Sequence, residues 1–287
     1  MFIEQMINGV TLGVVYALVA LGYSMVFGVL YFVNFAHGDI CMVGAYLSLV
    51  MVSKFGLGLA PALAISMICS AVLGVVIEKL AYYPLRSASK VTTMMSALGM
   101  SLLLATSGQI LWGSITQPFP EVLTIEKYLI AGANANSLQV LMVVVCLVLL
   151  VVLQLLVRKT TIGKALRATS VDREAAMLMG INVDFVISFT FFVASAYAAV
   201  AGTFIGIYYD AVYPTMGALL GMRAFTAAIL GGIGSIPGTV IGGLILGVAE
   251  GLGAAYISTM WRDGIAFSIM ILVLLFKPTG IMGQVSR

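Results

Sequence analysis

The stretch SLQVLMVVVCLVLLVVLQLLVRKTTIGKALRATSVDREAAMLMGINVD, residues 137–184, changes character abruptly at Arg158. Up to Val157 it carries no charge over a length that matches the roughly 20 apolar residues needed to cross a bilayer. From Arg158 to Asp184 it is the only long polar, basic stretch in the chain. The same contrast governs the rest of the 287 residues, of which 62% are hydrophobic and 9% charged, against about 25% charged in a soluble domain. No Asp, Glu, Lys or Arg occurs in 5–38, 40–53, 55–77, 91–120, 128–157, 185–209 or 224–249. Inside hydrocarbon the backbone has no water to bond, so runs of this kind must be helices. The chain reads as an all-α, polytopic integral membrane protein forming a single transmembrane domain over 1–287. Spans are expected near 6–31, 39–54, 60–80, 91–113, 137–157, 185–208, 238–257 and 263–277. Residues 215–235 are apolar but short, interrupted by Arg223 and ended by glycines. They read as a ninth, short or broken crossing, with a re-entrant segment and eight spans as the alternative.

Charge placement orients the spans. Eight of the fourteen Lys and Arg residues fall in two loops, Lys79/Arg86/Lys90 and Arg158/Lys159/Lys164/Arg167/Arg173. Basic loops stay on the cytoplasmic side, so both should face in. Residues 114–136 hold Lys127 against Glu121 and Glu126, which suits the outside. The N-terminus then lies outside, and Lys277 and Arg287 favour an inside tail. The N-terminus shows no basic leader or small-residue cleavage site, so Met6–Leu30 reads as a retained span. Cys41, Cys69 and Cys146 lie in apolar runs without paired spacing and read as core residues, with neither a disulfide framework nor a metal site. Glycines recur at four-residue spacing (Gly9/Gly13, Gly202/Gly206, Gly217/Gly221, Gly238/Gly242, Gly243/Gly247/Gly251). That spacing lets helices approach closely in lipid, as static packing or as a sliding contact. Tyr31, Tyr82, Tyr83, Trp112 and Trp261 fall near span ends, where interfacial anchors belong.

Within 158–184, Ser170 or Asp172 suits the cap of a short helix whose first turn holds Glu174. Ala175, Ala176, Met177 and Leu178 would give a compact apolar surface with the small residues outward. Gly180 permits a left-handed stop, and Asn182 belongs in the same turn with Ile181. The expected product is a short helix parallel to the membrane, fitted to a partner's groove. A solvated basic loop against lipid headgroups is the competing reading.

Glu174-Ala175-Ala176, three residues, then Gly180 resembles the docking-loop motif by which ABC importer permeases engage their ATPases. The fuller motif continues with Ile and a Leu-Pro pair, where this chain has Thr190, Phe192 and Val193, so only its first half matches. The chain as a whole resembles the high-affinity branched-chain amino acid permeases nearly end to end. The resemblance is carried by NGVTLGVVYALVALGYSMVFGVL (8–30), VNFAHGDICMVGAY (33–46), GKALRATSVDREAAMLMGIN (163–182), MRAFTAAILGGIGSIPGTVIGGLILGVAEGL (222–252) and KPTGIMG (277–283). It implies a non-catalytic permease subunit of an inner-membrane ATP-driven importer. Its implied partners are a second related permease, two cytoplasmic ATPases and a periplasmic amino-acid-binding protein, with lipid around it and no nucleic acid. No cofactor is expected on this chain, since ATP would be used by the partners. In keeping with that, Gly163-Lys164 is followed by Ala165 and lacks the earlier glycine of a phosphate-binding loop.

The polar residues within or beside spans are few. Asn34 could cap the second span, Gly38 could give a tight bend, and His37 and Asp39 would sit at the cytoplasmic junction of the first two spans. They read as a capped turn or as a gate. Glu250 lies inside an apolar run, where acids are functional candidates, and could instead pair with Arg223 or Arg262. Arg223 could answer a substrate carboxylate or pair with Asp210, and Arg262-Asp263 reads as a loop-end pair. The function expected is import of branched-chain or other small apolar amino acids. A urea- or amide-specific importer, a channel for a small neutral solute, and an ion-coupled transporter using Asp39 or Glu250 stay open as alternatives.

Overall fold

The computed structural model describes residues 2–86, 88–122, 126–130 and 133–283; Arg287, assigned above to an inside tail, lies outside them. The helices run in order α1 (Phe2–Leu30), α2 (His37–Ser53), α3 (Leu59–Ile77), α4 (Lys90–Trp112), α5 (Ser137–Lys159), α6 (Thr161–Val171), α7 (Arg173–Leu178), α8 (Val183–Tyr208), α9 (Met216–Gly231), α10 (Ile236–Tyr256) and α11 (Arg262–Phe276). Among the described residues the one sheet is an antiparallel hairpin of β1 (Lys127–Ile130) and β2 (Ala133–Asn136) between α4 and α5. Seven helices are long and apolar enough to cross a membrane, and α2 and α9 are shorter apolar helices. The α3 span continues past its α-helical part through a π turn (Glu78–Tyr82) and a 3-10 turn (Tyr83–Leu85), so it outruns the expected end at residue 80.

The centre of the bundle is α1 against α10, and its sequence explains the fit. The two helices run antiparallel, with Gly9 against Gly251, Gly13 against Gly247 and Ala17 against Gly243. A Cβ placed on Gly247 would stand 2.3 Å from the Gly13 nitrogen, so neither helix tolerates a side chain there. In lipid no hydrophobic force drives helices together, and this close backbone contact supplies the dispersion energy instead. The other spaced glycines serve the same end: Gly242 meets Ala227 and Gly231, Gly202 meets the Cys41 carbonyl, and Gly217 and Gly221 meet Asp39 and Gly38. At the periphery α4 and α11 expose most of their apolar surface; 17% and 6% of their most apolar stretches are buried, against 89% for α1.

The two ends of the bundle can be told apart. Arg86, from the first basic loop, is ion-paired with Asp184 at the end of the second, so both basic loops share one end, as the charge bias requires. The C-terminal segment joins them there: Ile281 and Met282 donate their amides to the Leu230 and Gly231 carbonyls, and Met282 lines a groove with Arg158 and Arg167. Since α1 also ends at the α6–α7 side, the chain starts at one end and finishes at the other. That parity makes α9 the ninth traverse of the bundle. It is a short one: 16 residues span about 24 Å, less than the ~30 Å hydrocarbon core.

Candidate coupling surface and buried polar clusters

Helix α7 is shaped by its caps. Asp172, rather than Ser170, is the N-cap, its Oδ1 accepting from the Glu174 and Ala175 amides at 2.9 and 3.0 Å. Gly180 turns the chain with φ of 81°, and Asn182 caps α8 by accepting from the Phe185 amide at 3.0 Å. The expectation that small residues face outward is corrected by half. Ala175 is exposed, but Ala176 is 4% exposed and packs inward. The outward surface is made of large apolar side chains, with Leu178 87%, Val171 83% and Met179 82% exposed. Ile181 is partly buried beneath this tip. So much apolar surface on an otherwise polar segment marks an interaction face.

The base of this segment is tied to α1. Arg173 donates through Nε to the Val29 carbonyl at 2.8 Å and lies over the Tyr31 ring at 5.9 Å. The Tyr31 hydroxyl donates to the Ser170 carbonyl. Burial, and Arg86 nearby, lower the pKa of the Arg173 guanidinium from its ordinary value. The last carbonyls of a helix are orphan acceptors at its negative end, so a guanidinium there is held by both bond and dipole. Glu78, fully buried, is ion-paired with Arg86 and accepts from Ser188 at 2.9 Å. Glu78 was not a sequence candidate, because it stands beside Lys79 at an expected span end and Ser188, which bonds its other oxygen, is 110 residues away.

The turn between α1 and α2 lies deeper than expected. His37 Nε2 is 3.2 Å from the Val19 carbonyl, eleven residues before Leu30, or about 16 Å back along α1. His37 and Asp39 are therefore inside the bundle and not at its cytoplasmic junction. The ring fits because Gly22 has no side chain; a Cβ there would stand 2.1 Å from His37 Nε2. Asn34 is not the cap of α2. Its Oδ1 accepts from the Ala36 amide at 3.1 Å and the Tyr82 hydroxyl at 2.6 Å, holding the turn two residues earlier. Tyr82, expected as an interface anchor, is thereby a core residue, 1% exposed. Gly38 makes no bend; it lies within α2, where its lack of a Cβ admits the Gly217 carbonyl of α9. Asp39 accepts from Ser101 at 2.5 Å, midway along α4.

Glu250 joins a second buried cluster. Its Oε2 accepts from Tyr16 at 2.9 Å, and Oε1 lies 3.8 Å from Arg223 Nε. Arg223 also donates to Tyr16 at 3.2 Å and pairs with Asp263 Oδ1 at 2.6 Å. Thus Glu250 does pair with Arg223, but Arg223 does not pair with Asp210, which accepts from the Phe119 amide at 2.9 Å. Arg262 and Asp263 are not a pair either: Arg262 donates to the Tyr209 hydroxyl at 3.1 Å while Asp263 turns to Arg223. Tyr16 carried no signal in the sequence, being one aromatic in a long apolar run. Among the described residues no group of His, Cys, Asp and Glu is arranged to hold a metal ion.

Comparison with known proteins agrees with this architecture. The family model described as branched-chain amino acid transport system / permease component matches residues 5–274. The chain is 41% identical to the high-affinity branched-chain amino acid transport system permease protein LivH of Salmonella typhimurium, over 99% of this chain and 96% of that one. It is 39% identical to the corresponding protein BraD of Pseudomonas aeruginosa over the same shares. Its identity to a probable branched-chain amino acid transport permease protein LivH of Methanocaldococcus jannaschii is 32%, over 93% and 88%. A solved structure, PsaBC from Streptococcus pneumoniae in complex with Fab, shares the fold with a TM-score of 0.51 at 14% identity, over 95% of this chain and 91% of that one. A polytopic helical bundle matched over nearly its whole length by that model and by these relatives belongs to the branched-chain amino acid transport system permease family.

Proposed function

We propose that this chain is a permease subunit of an ATP-driven importer, carrying branched-chain or similarly small apolar amino acids across a bacterial inner membrane. The single observation that carries the coupling role is the capped α7 helix, with its exposed apolar tip and its guanidinium seated on the end of α1. In this reading Glu174, Ala175, Ala176, Gly180, Ile181 and Asn182 shape the surface that docks on a cytoplasmic ATPase. The remaining partners are a second related permease, a second ATPase and a periplasmic binding protein. ATP binds and is hydrolysed on the partner chains, and this chain performs no covalent step.

The mechanism follows from stiffness. Movement of α7 pulls through Arg173 on the Val29 carbonyl and so on α1, the best buried of the long spans. Helix α1 is locked to α10 by glycine contacts and to the start of α2 by the His37–Val19 contact, so these elements move together. The turn at Asn34, His37, Gly38 and Asp39, wedged against α9, is the gate in this scheme. The Tyr16–Glu250–Arg223–Asp263 cluster is a clasp that holds α1, α9, α10 and α11 in register. Each state is favoured by the contacts it makes, and nucleotide shifts the population between them.

The test is affinity purification from the native membrane followed by uptake in liposomes. Recovery of nucleotide-binding subunits and a second multi-span protein, with ATP-dependent leucine uptake, supports the proposal. Transport by the chain alone, without ATP, sinks it. Gly180→Trp sharpens the test, because a Cβ on Gly180 meets nothing within 4 Å in this chain. Its side chain would stand in open space on this chain, on a left-handed backbone that also strains Trp, so uptake should be lost with normal membrane levels. Gly180→Asn, which tolerates the left-handed backbone, should retain most uptake.

A further inference from the structure

At the end of the bundle opposite α7, a cavity of about 280 Å³ opens between α8, α9 and α11. Its position is fixed by Asp210 and Val212, which bond the segment after α4 through the Phe119 amide and a backbone bridge to Gln117. One wall is aliphatic, made by Ile205, Met216, Leu219 and Leu220. The other carries Arg223, Arg262 and the Tyr209 hydroxyl.

The two guanidinium groups are in different situations. Arg223 is already engaged, hydrogen-bonded to Tyr16 and Asp263 and ion-paired with Glu250. Arg262 forms no ion pair among the described residues; its Nη1 donates to Tyr209 and its Nε, shielded from solvent, has no hydrogen-bond partner. Asp263, 41% exposed at its side chain, accepts Arg223 through Oδ1 alone. A cation with an unused donor, a tyrosine hydroxyl beside it and an aliphatic wall make up the chemistry of a carboxylate carrying an apolar side chain.

We propose that this groove is an acceptor site for a small apolar α-amino acid at the outer mouth of the pathway. The substrate carboxylate meets Arg262, and its side chain lies on Leu219 and Leu220. The size of the cavity fits, lying near the lower end of the ~300–1,000 Å³ range of small-molecule sites. The proposal deepens the importer reading and rests on it. A lipid phosphate seated on Arg262 is the other source of an anion, and it would have no reason to discriminate among amino acid side chains.

The experiment uses the complete complex in liposomes, with one binding protein throughout, and measures ATP-driven uptake of leucine, valine and alanine. Leu219→Phe should lower the leucine-to-alanine uptake ratio by about tenfold, the scale on which a pocket discriminates one or two methylenes. Arg262→Gln should reduce uptake of all three by about tenfold, the loss of one hydrogen bond to a charged group, with Arg262→Lys recovering part. A leucine-to-alanine ratio that stays at the wild-type value in Leu219→Phe overturns the groove while leaving the importer reading intact, even if Arg262→Gln is impaired, because that pattern describes a lipid anchor. A wild-type complex that imports no amino acid with ATP defeats the importer reading, and the groove falls with it.

Discussion

The two ends of the bundle are both polar, and they are built in opposite ways. At the α7 end the key groups come from one stretch of chain: Asp172 caps α7, Gly180 stops it and Asn182 caps α8. At the far end, Tyr16, Arg223, Glu250 and Asp263 meet from four different helices. The first arrangement is held by local backbone geometry and leaves apolar side chains facing outward. The second is held by desolvated charge, where each group depends on the others for its partner. An exposed apolar surface is thus made by local rules, and a clasp between spans by long-range ones.

Removing a member of each end tests that contrast, and the largest effect belongs to the clasp. Arg223→Ala leaves Glu250 buried beside Tyr16 without its counter-charge, at a cost of about 3–5 kcal/mol for a broken buried pair. The variant should accumulate poorly and melt early in detergent, while Glu250→Gln, still able to accept from Tyr16, should suffer less. Wild-type melting of Arg223→Ala would show that the four helices do not need the clasp. A smaller, functional effect is expected at Arg173→Gln, which loses a charged hydrogen bond to Val29 worth about 1.5–3 kcal/mol. Folding should survive, and uptake should fall roughly tenfold or more while ATP hydrolysis by the complex continues. If hydrolysis and uptake fell together, Arg173 would serve docking and not transmission. The smallest change is Tyr31→Phe, which removes one neutral hydrogen bond worth about 1 kcal/mol. A few-fold loss of uptake with unchanged membrane levels is the expected outcome, and an effect equal to that of Arg173→Gln would move the weight of the linkage onto Tyr31.

The α7 segment was legible because its signals are local. A capping Asp, an acid in the first turn, a glycine at the stop and an Asn before the next helix specify α7 within about ten residues. One feature escaped: that Ala176 faces in and Leu178 faces out depends on how α7 sits on α1 and α8, which local rules do not contain. The spaced glycines were equally legible as contact stripes. Their partners were not, since a small residue shows that something approaches but not what. The inner turn misled for a related reason. Asn34, His37 and Gly38 have the composition of a surface turn, yet the chain folds back along α1 until His37 reaches Val19, and only the hole left by Gly22 permits it.

The sequence by itself determined the helical class, the eight apolar spans, the common side of the two basic loops and the local form of α7, while the crossing by α9 waited on the fold. Each of these follows from a property read along the chain: apolar length, charge bias, caps and turns. Tertiary structure alone decided that Arg223 pairs with Asp263 and Glu250 in place of Asp210, that Arg262 turns to the Tyr209 hydroxyl beside an aliphatic wall, and that α1 carries both α7 and the inner turn. These are meetings between residues up to 234 positions apart. In a chain whose spans are nearly uniform in hydrophobicity, pattern cannot choose among partners. Close packing and the need to satisfy each buried charge make that choice.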